Sequence, residues 1–343
     1  MSKNVIQRIA QGLDDRRKTL SAWLGAERPE TKAIRLGSHP EQEVHQHLSV
    51  VDQALQQAES GVLGTCTVCH EQIETHWLET NYTNCVCLEH LTGEDRSRLE
   101  SELELSQKVQ QALLPHSTPV IPGWEIAAFS QPASIVSGDF FDFLRFRGGE
   151  EALLIADVMG KGVPASMLMA SLQASLRIIV PESEVPDRAL YRANDLFYHN
   201  IRLTKFVSIV LVQIRPNDGV ISYANAGHHP PFLVRGRDSG NGRIVSLRPT
   251  GAAIGLVEKA AFETASMHAA AGDSLVLYTD GVVEARNPSG EEFGEKRLGE
   301  YLLAQSGNHA GAIVRGLRDE IHLFAGGKPL SDDATIVVCK RTS

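Results

Sequence analysis

Apolar residues recur at three- and four-residue intervals through the first sixty positions. Ile6, Ile9, Leu13, Leu20 and Trp23 form one stripe, and Val44, Leu48, Val51, Leu55, Ala58 and Val62 form a second, a spacing that predicts two amphipathic helices. Residues 25–40 between them hold Pro29, Gly37 and Pro40 among polar residues, the composition of a turn joining an antiparallel hairpin. An isolated pair is too narrow to hide both stripes, so a third helix or a second subunit is expected against it. A further helix is predicted from Thr92 or Gly93, with Glu94 and Asp95 at the positive end of its dipole. Leu99, Leu103, Ser106, Gln110 and Leu113 line its seam, and the Ser and Gln predict looser packing there than leucines would give.

Beyond this helix the pattern changes to short apolar runs bounded by Gly, Pro, Asn and Asp, the signature of buried strands and turns. Strands are predicted at 153–157, at 206–214 and 220–225 around the turn signal 216–219, at 274–280 and at 336–338. Helices are predicted over Val163–Ile179, 194–206 and 307–323, a bend at 247–256, and an exposed flap at 282–294. The chain length of 343 residues is enough for two domains. The formal charge of -9 argues against a general nucleic-acid-binding surface. No uncharged apolar run of about 18 residues and no signal-peptide core is evident, so a cytoplasmic, non-membrane protein is expected.

Four of the five cysteines lie between Cys66 and Cys87, while Cys339 stands alone in an apolar strand as a core residue. Paired cysteines in a cytoplasmic chain favour metal over disulfides. Cys66-x-x-Cys69 supplies one knuckle and Cys87-x-x-His90 the other, so Cys66, Cys69, Cys87 and His90 form the best tetrahedral set for structural zinc. Cys85 either replaces one of them or stays free, and His70 and His76 read as solvated side chains. The segment HLSVVDQALQQAESGVLGTCTVCHEQI followed by CLEHL resembles the DksA/TraR zinc fingers, a helical hairpin leading into a four-ligand knot, over about residues 1–92. His90 stands where that family commonly has Cys. The hairpin tip lacks the paired aspartates with which that family enters RNA polymerase, so the zinc fold carries over and polymerase binding stays open.

The chemistry of the remaining chain is carried by acids at predicted strand edges: Asp139 in SGDFFD, Asp157 in LLIADVMGKG, Asp280 in SLVLYTDG, and Asp332 or Asp333 before the last strand. Any one Asp-Gly is adequately explained as a turn. Several such acids gathered at sheet edges repel one another unless a cation or hydrogen-bond donors compensate them. Magnesium and manganese, which take carboxylate oxygens and water, suit such a site as a pair of ions. His228 in ANAGHHPP is either a general acid or, with Asn225, a loop-holding hydrogen-bond partner.

In order, SGDFFDF, ADVMGKGVPASMLMA, ANAGHHPPFLV, LYTDGVVEARN and DDATIVV resemble the SpoIIE/RsbU-type branch of the PPM metal-dependent serine/threonine phosphatases, from Leu113 to about Lys340. The resemblance implies an α+β fold, an α-β-β-α sandwich with two antiparallel sheets between helices. It also implies that Asp139 and Asp157 bind two manganese or magnesium ions with help from the Val158 carbonyl, and that Asp280 and Asp332, in preference to Asp333, complete the site. Ser137 replaces a more usual Gly, which affects loop geometry and not ligation. The expected organisation is a hairpin and zinc finger over 1–92, a linker helix over 93–114 and a phosphatase domain over 115–343. In the resembling proteins that linker transmits a signal from an N-terminal sensor, and the helix after Asp157 is a switch; a plain rigid linker is the other reading.

The activity so implied is hydrolysis of phosphoserine or phosphothreonine by a metal-bound hydroxide. The implied substrate is a phosphorylated STAS-type anti-anti-sigma factor of a bacterial partner-switching pathway, with a homodimer formed through the helical regions. Two other readings remain at this point. One is a zinc-finger interaction protein, for RNA polymerase or another partner, carrying an inactive phosphatase fold. In the other, the finger senses redox state through loss of zinc, with Cys85 as a spare thiol.

Overall fold

The computed structural model describes residues 3–26, 41–73, 78, 82, 83, 85–90, 92–160, 162–200, 206–216, 218–236 and 242–342. Two compact units divide the chain, Met1–Ser101 and Glu102–Ser343.

In the first unit the two predicted stripes meet. Helix α1 (Lys3–Ala26) and helix α2 (Glu41–Glu59) bury Leu13, Val51 and Ala54, with Ile6, Ile9, Leu55 and Ala58 partly covered around them. Val62 departs from the expected stripe because α2 stops at Glu59. Gly61, at φ 72°, turns the chain so that Leu63 enters the core and Val62 stays exposed. The predicted hairpin turn falls largely outside the described residues. A second cluster of Cys66, Ile73, Leu78 and Cys87 closes the region after α2.

Helix α3 (Gly93–Leu113) crosses the boundary between the units, and its residues from Glu102 onward belong to the second. Leu103, Ser106 and Leu113 are half-buried and Gln110 is buried, as the seam predicts, while Leu105 and Val109 on the other side are exposed.

The second unit contains two five-stranded sheets among the described residues. One sheet is formed by β2 (Phe140–Arg145), β3 (Glu151–Val158), β4 (Val207–Ile214), β5 (Val220–Ala226) and β8 (Ala265–His268), in that order. The other runs β1 (Trp124–Gln131), β10 (Ala334–Arg341), β9 (Ser274–Tyr278), β6 (Phe232–Arg235) and β7 (Arg243–Ser246). Every ladder pairing is antiparallel.

Side chains alternate across a strand, and both faces of β3 are covered, which is why its sequence is an almost unbroken apolar run. Leu153 and Ile155 meet Leu275, Leu277, Val337 and Cys339 between the sheets. Leu154 and Ala156 face Leu168, Leu172 and Leu176 of α4 (Val163–Ile179) and Leu190 of α5 (Pro186–Asn200). On the far side Val276, Tyr278, Ile336 and Val338 are covered by Leu298 and Leu302 of α7 (Gly294–Ala304) and by Ile313 and Leu317 of α8 (Ala310–Phe324). Helices, sheet, sheet and helices are therefore stacked as the α-β-β-α sandwich that the sequence resemblance implies.

Several expectations are corrected. Helix α5 begins at Pro186, whose fixed φ suits a first turn and whose successor Asp187 is anchored to Thr264. The last helix starts at Ala310, because residues 305–308 form a turn. The segment 282–294 is only partly an exposed flap. Its first turn, α6 (Asp280–Val283), is helical, and Val282, Val283, Ala285 and Phe293 are core residues. Strands β1, β2, β6, β7 and β8 and helix α7 are not predicted by the sequence pattern. Among the described residues one helix, Val163–Glu182, is long and apolar enough to cross a membrane by length and composition, at a mean hydropathy of 1.4. Ser, Gln and Pro dilute its apolar run in the sequence, and its inner face is core against β3.

Candidate active site and cysteine cluster

Antiparallel register brings the predicted acids to one end of the sandwich. Phe140 lies opposite Ala156, so the next pair outward is Asp139 with Asp157. Asp139 therefore precedes its strand instead of ending it. In the other sheet Tyr278 pairs with Ile336, and Thr279 N–H donates to the Thr335 carbonyl, so Asp280 leaves β9 beside the start of β10 and its preceding Asp332 and Asp333. The two sheets are tied together there. Thr279 Oγ1 donates to Asp139 Oδ2 at 2.6 Å, and Gly138 N–H donates to Asp333 Oδ2 at 2.7 Å.

The electrostatics report the crowding. Burial, followed by the Asp157 carboxylate, raises the Asp139 carboxyl well above its ordinary range, against the lowering effect of the Thr279 hydroxyl. Asp157 is pushed up to about 7, by burial first and then by Asp280, Asp332, Asp333 and Glu284. Carboxylates are thus the leading charged influences on both groups. Asp332 and Asp333 divide their tasks. Asp333 is buried and accepts Ala133 N–H and Gly138 N–H on its two oxygens, at 2.7 Å each. Asp332 is half-exposed and reaches Asp157 electrostatically, and its Oδ1 accepts Asp333 N–H.

Glycines let the backbone close around these acids. A Cβ at Gly281 would lie 2.0 Å from the Asp333 carbonyl oxygen, and one at Gly138 would lie 3.1 Å from the Val158 carbonyl oxygen. Gly160 and Gly162 both adopt positive φ, at 108° and 74°, as the tight turn after Asp157 requires. Ser137 Oγ accepts Asp139 N–H at 3.0 Å, so the serine that replaces the more usual glycine braces the loop.

His228 is buried and fully engaged. Its Nδ1 pairs with Ser208 Oγ at 2.7 Å and its Nε2 with the Tyr278 carbonyl at 3.2 Å. A carbonyl only accepts, so Nε2 carries the proton and Nδ1 accepts from the serine. Burial, and then His229, lower its pKa to about 3, and a neutral imidazole with no spare nitrogen serves the loop and not proton transfer. Asn225 holds the same loop, since its Oδ1 accepts His228 N–H at 2.8 Å.

The sequence reading missed Thr279 and Thr335. Thr279 falls inside a predicted strand and Thr335 just before one, and only the meeting of the two sheets reveals the bond from Thr279 to Asp139. Asp142 was missed as well. It is buried and paired with Arg177 at 2.7 Å, and its signal, an acid inside an apolar strand pattern, was visible.

In the first unit the donor atoms of Cys66, Cys69, Cys87 and His90 all lie within 4.8 Å of one another. Cys69 Sγ and Cys87 Sγ are 3.9 Å apart, and Cys87 Sγ is 3.0 Å from His90 Nδ1. Backbone N–H groups, that of Cys69 foremost, lower the Cys66 thiol to about 6. Burial foremost raises Cys87 to about 11. Cys85 is exposed and outside the four-donor group. Three thiols and an imidazole at this spacing are a donor set for zinc.

The Stage II sporulation protein E (SpoIIE) family matches residues 147–342. Protein IcfG of Synechocystis is 30% identical over 318 residues, which cover 85% of this chain and 48% of that protein. Phosphoserine phosphatase RsbU of Bacillus subtilis is 28% identical over 72% of each chain. The chain thus spans about half the length of the first of these relatives. Among solved structures, the SiaA-PP2C domain of Pseudomonas aeruginosa superposes with a TM-score of 0.64 at 19% identity, covering 74% of this chain and all of that domain, a likeness of fold. The RsbU and RsbW domains of a Mycobacterium tuberculosis protein superpose at 0.56 with 28% identity, over 67% of this chain and 63% of that one. With the family match extending over more than half of the sequence, on a sandwich whose strand ends gather the acids, the chain belongs to the Stage II sporulation protein E (SpoIIE) family.

Proposed function

We propose that the chain is a metal-dependent protein serine/threonine phosphatase. The observation that carries this reading is the convergence of Asp139, Asp157, Asp280 and Asp332 on one end of the sandwich, where burial and mutual repulsion push Asp139 and Asp157 toward protonation. Such a donor set fits hard divalent cations, which would restore ordinary ionisation. In our assignment Asp139, Asp157, the Val158 carbonyl, Asp280 and Asp332 would hold two manganese or magnesium ions, which would supply an activated water and charge neutralisation for a phosphoryl group. Thr279 orients Asp139, Asp333 fixes the backbone of the loop before it, and His228 keeps the loop after β5 in place without exchanging a proton. The name phosphoserine phosphatase, carried by the relative RsbU, supports a phosphoserine group as what is hydrolysed, and we place that group on a protein. We assign this to a STAS-type anti-anti-sigma factor in a partner-switching pathway.

We further propose that residues 1–92 form a structural zinc module on Cys66, Cys69, Cys87 and His90, that 93–114 link it to a phosphatase domain over 115–343, that the module regulates the phosphatase, and that the helical regions mediate a homodimer. The four clustered donors support the zinc assignment. The test is manganese-dependent hydrolysis of an aryl phosphate and of a phosphorylated STAS protein by the full chain, with Asp280→Asn alongside. Turnover that requires manganese and falls at least 100-fold in Asp280→Asn is expected. Turnover that persists in a chelator would reject the reading.

A further inference from the structure

The last turns of α3 grip the loop that carries Asp139. Gln110 is 8% exposed, and its carboxamide pairs with both backbone groups of one residue. Nε2 donates to the Ser137 carbonyl at 2.6 Å, and Oε1 accepts Ser137 N–H at 2.8 Å. A side chain here supplies the two bonds that a neighbouring strand would otherwise supply. The next residues are fixed in turn, Gly138 N–H by Asp333 and Asp139 N–H by Ser137 Oγ. Of these three anchors only Gln110 comes from α3.

The same helix end also holds α4, the helix that follows the Asp157 turn. The Leu113 carbonyl accepts Gln173 Nε2 at 2.9 Å and Arg177 Nη2 at 2.6 Å, and both side chains also reach Asp142 Oδ2 of β2. Helix α3 therefore bonds both to the loop that carries Asp139 and to the helix that follows the turn after Asp157. The choice of residue is informative, because leucine at position 110 would suit the seam between Leu103 and Leu113. It would also leave the Ser137 N–H and carbonyl buried without partners.

We propose that Gln110 is a positioning residue for Asp139, so that its two bonds to the Ser137 backbone set how tightly the acid site holds divalent cations. The proposal rests on the reading of that site as a cation site. It is tested by titrating manganese calorimetrically into the zinc-saturated full chain, as wild type, Gln110→Met, Asp139→Asn and Lys340→Met. Lys340 is the control for loss of a buried polar anchor elsewhere, since its Nζ donates to the Ser306 and Asn308 carbonyls. Gln110→Met should weaken manganese binding about 10- to 100-fold, the usual range when an outer support of a metal ligand is removed. Lys340→Met should lower the melting temperature while leaving manganese affinity at the wild-type value. A Gln110→Met chain that binds manganese as tightly as wild type, or a Lys340→Met chain that loses as much affinity as Gln110→Met, overturns the proposal. If Gln110→Met does not fold, Gln110→Asn, which keeps the amide one methylene short of Ser137, is read by the same criteria. A wild-type chain whose manganese binding is absent, or unchanged by Asp139→Asn, removes the cation reading itself, an outcome distinct from an effect confined to Gln110.

Discussion

Gly281 shows how one residue can carry two explanations of different reach. As a member of an Asp-Gly pair it reads as a turn former, yet its constraint is the Asp333 carbonyl, 2.0 Å from where a Cβ would stand. Backbone cannot give way as a flexible side chain can, so Gly281→Ala is expected to destabilise the second unit by about 1–3 kcal/mol. Gly307→Ala, with nothing within 4 Å of its Cβ position, should change stability by less than about 0.5 kcal/mol. Denaturant midpoints of the two variants decide this, and equal midpoints would remove the close approach as the cause. At the same scale Asp333 and His228 mark the limit of motif reading. An acid beside a metal motif and a histidine near it both resemble chemistry, and the bonds made by Asp333 with Ala133 and Gly138, and by His228 with Ser208 and Tyr278, instead make them anchors.

At the scale of elements, two strand pairs explain why acids far apart in sequence meet. The β2–β3 register aligns Asp139 with Asp157, and the β9–β10 register puts Asp280 near Asp332. The pairing also predicts a pH response. In the metal-free chain Asp157 holds its proton up to about 7, whereas an unfolded aspartate releases it near 4. Between these values the folded state binds more protons than the unfolded state, so its stability falls as pH rises. The metal-free protein should lose stability from about pH 4 to pH 7, on the order of a few kcal/mol. Asp157→Asn should flatten the slope, and saturating manganese should remove it. Unfolding titrations across that range check the sign, and a rise in the metal-free wild type relative to Asp157→Asn would contradict it. Helices obey simpler rules. The bounds of α4 were legible from an apolar run between a glycine turn and Arg177, while α7 was not, because its few apolar contacts, Leu298 and Leu302, are spread thinly among charges.

For the whole molecule, the division into two units separates two candidate donor sets. One unit offers thiols and an imidazole, the other carboxylates, and soft and hard ligands select different ions. Elemental analysis of the purified chain should find about one zinc in wild type and in Cys85→Ser, and close to none in Cys66→Ser, for a four-ligand site. Loss of zinc in Cys85→Ser would instead make Cys85 a ligand.

Much of the fold was legible in the sequence because it is local. Helix periodicity gave the stripes of α1 and α2 and the seam of α3, and the apolar runs at β3, β4, β5, β9 and β10 reflect burial on both faces, a property that composition records directly. The candidate acids and the four clustered Cys and His donors were legible because ordered motifs carry them. Other features depend on residues distant in the chain and leave no local trace: the bond from Thr279 to Asp139, the close approach of Gly281 to Asp333, the neutral His228 between two strands, and the pairing of Gln110 with Ser137. A hydrogen bond needs its partner in place, and tertiary packing alone brings residues 140 positions apart to 2.6 Å.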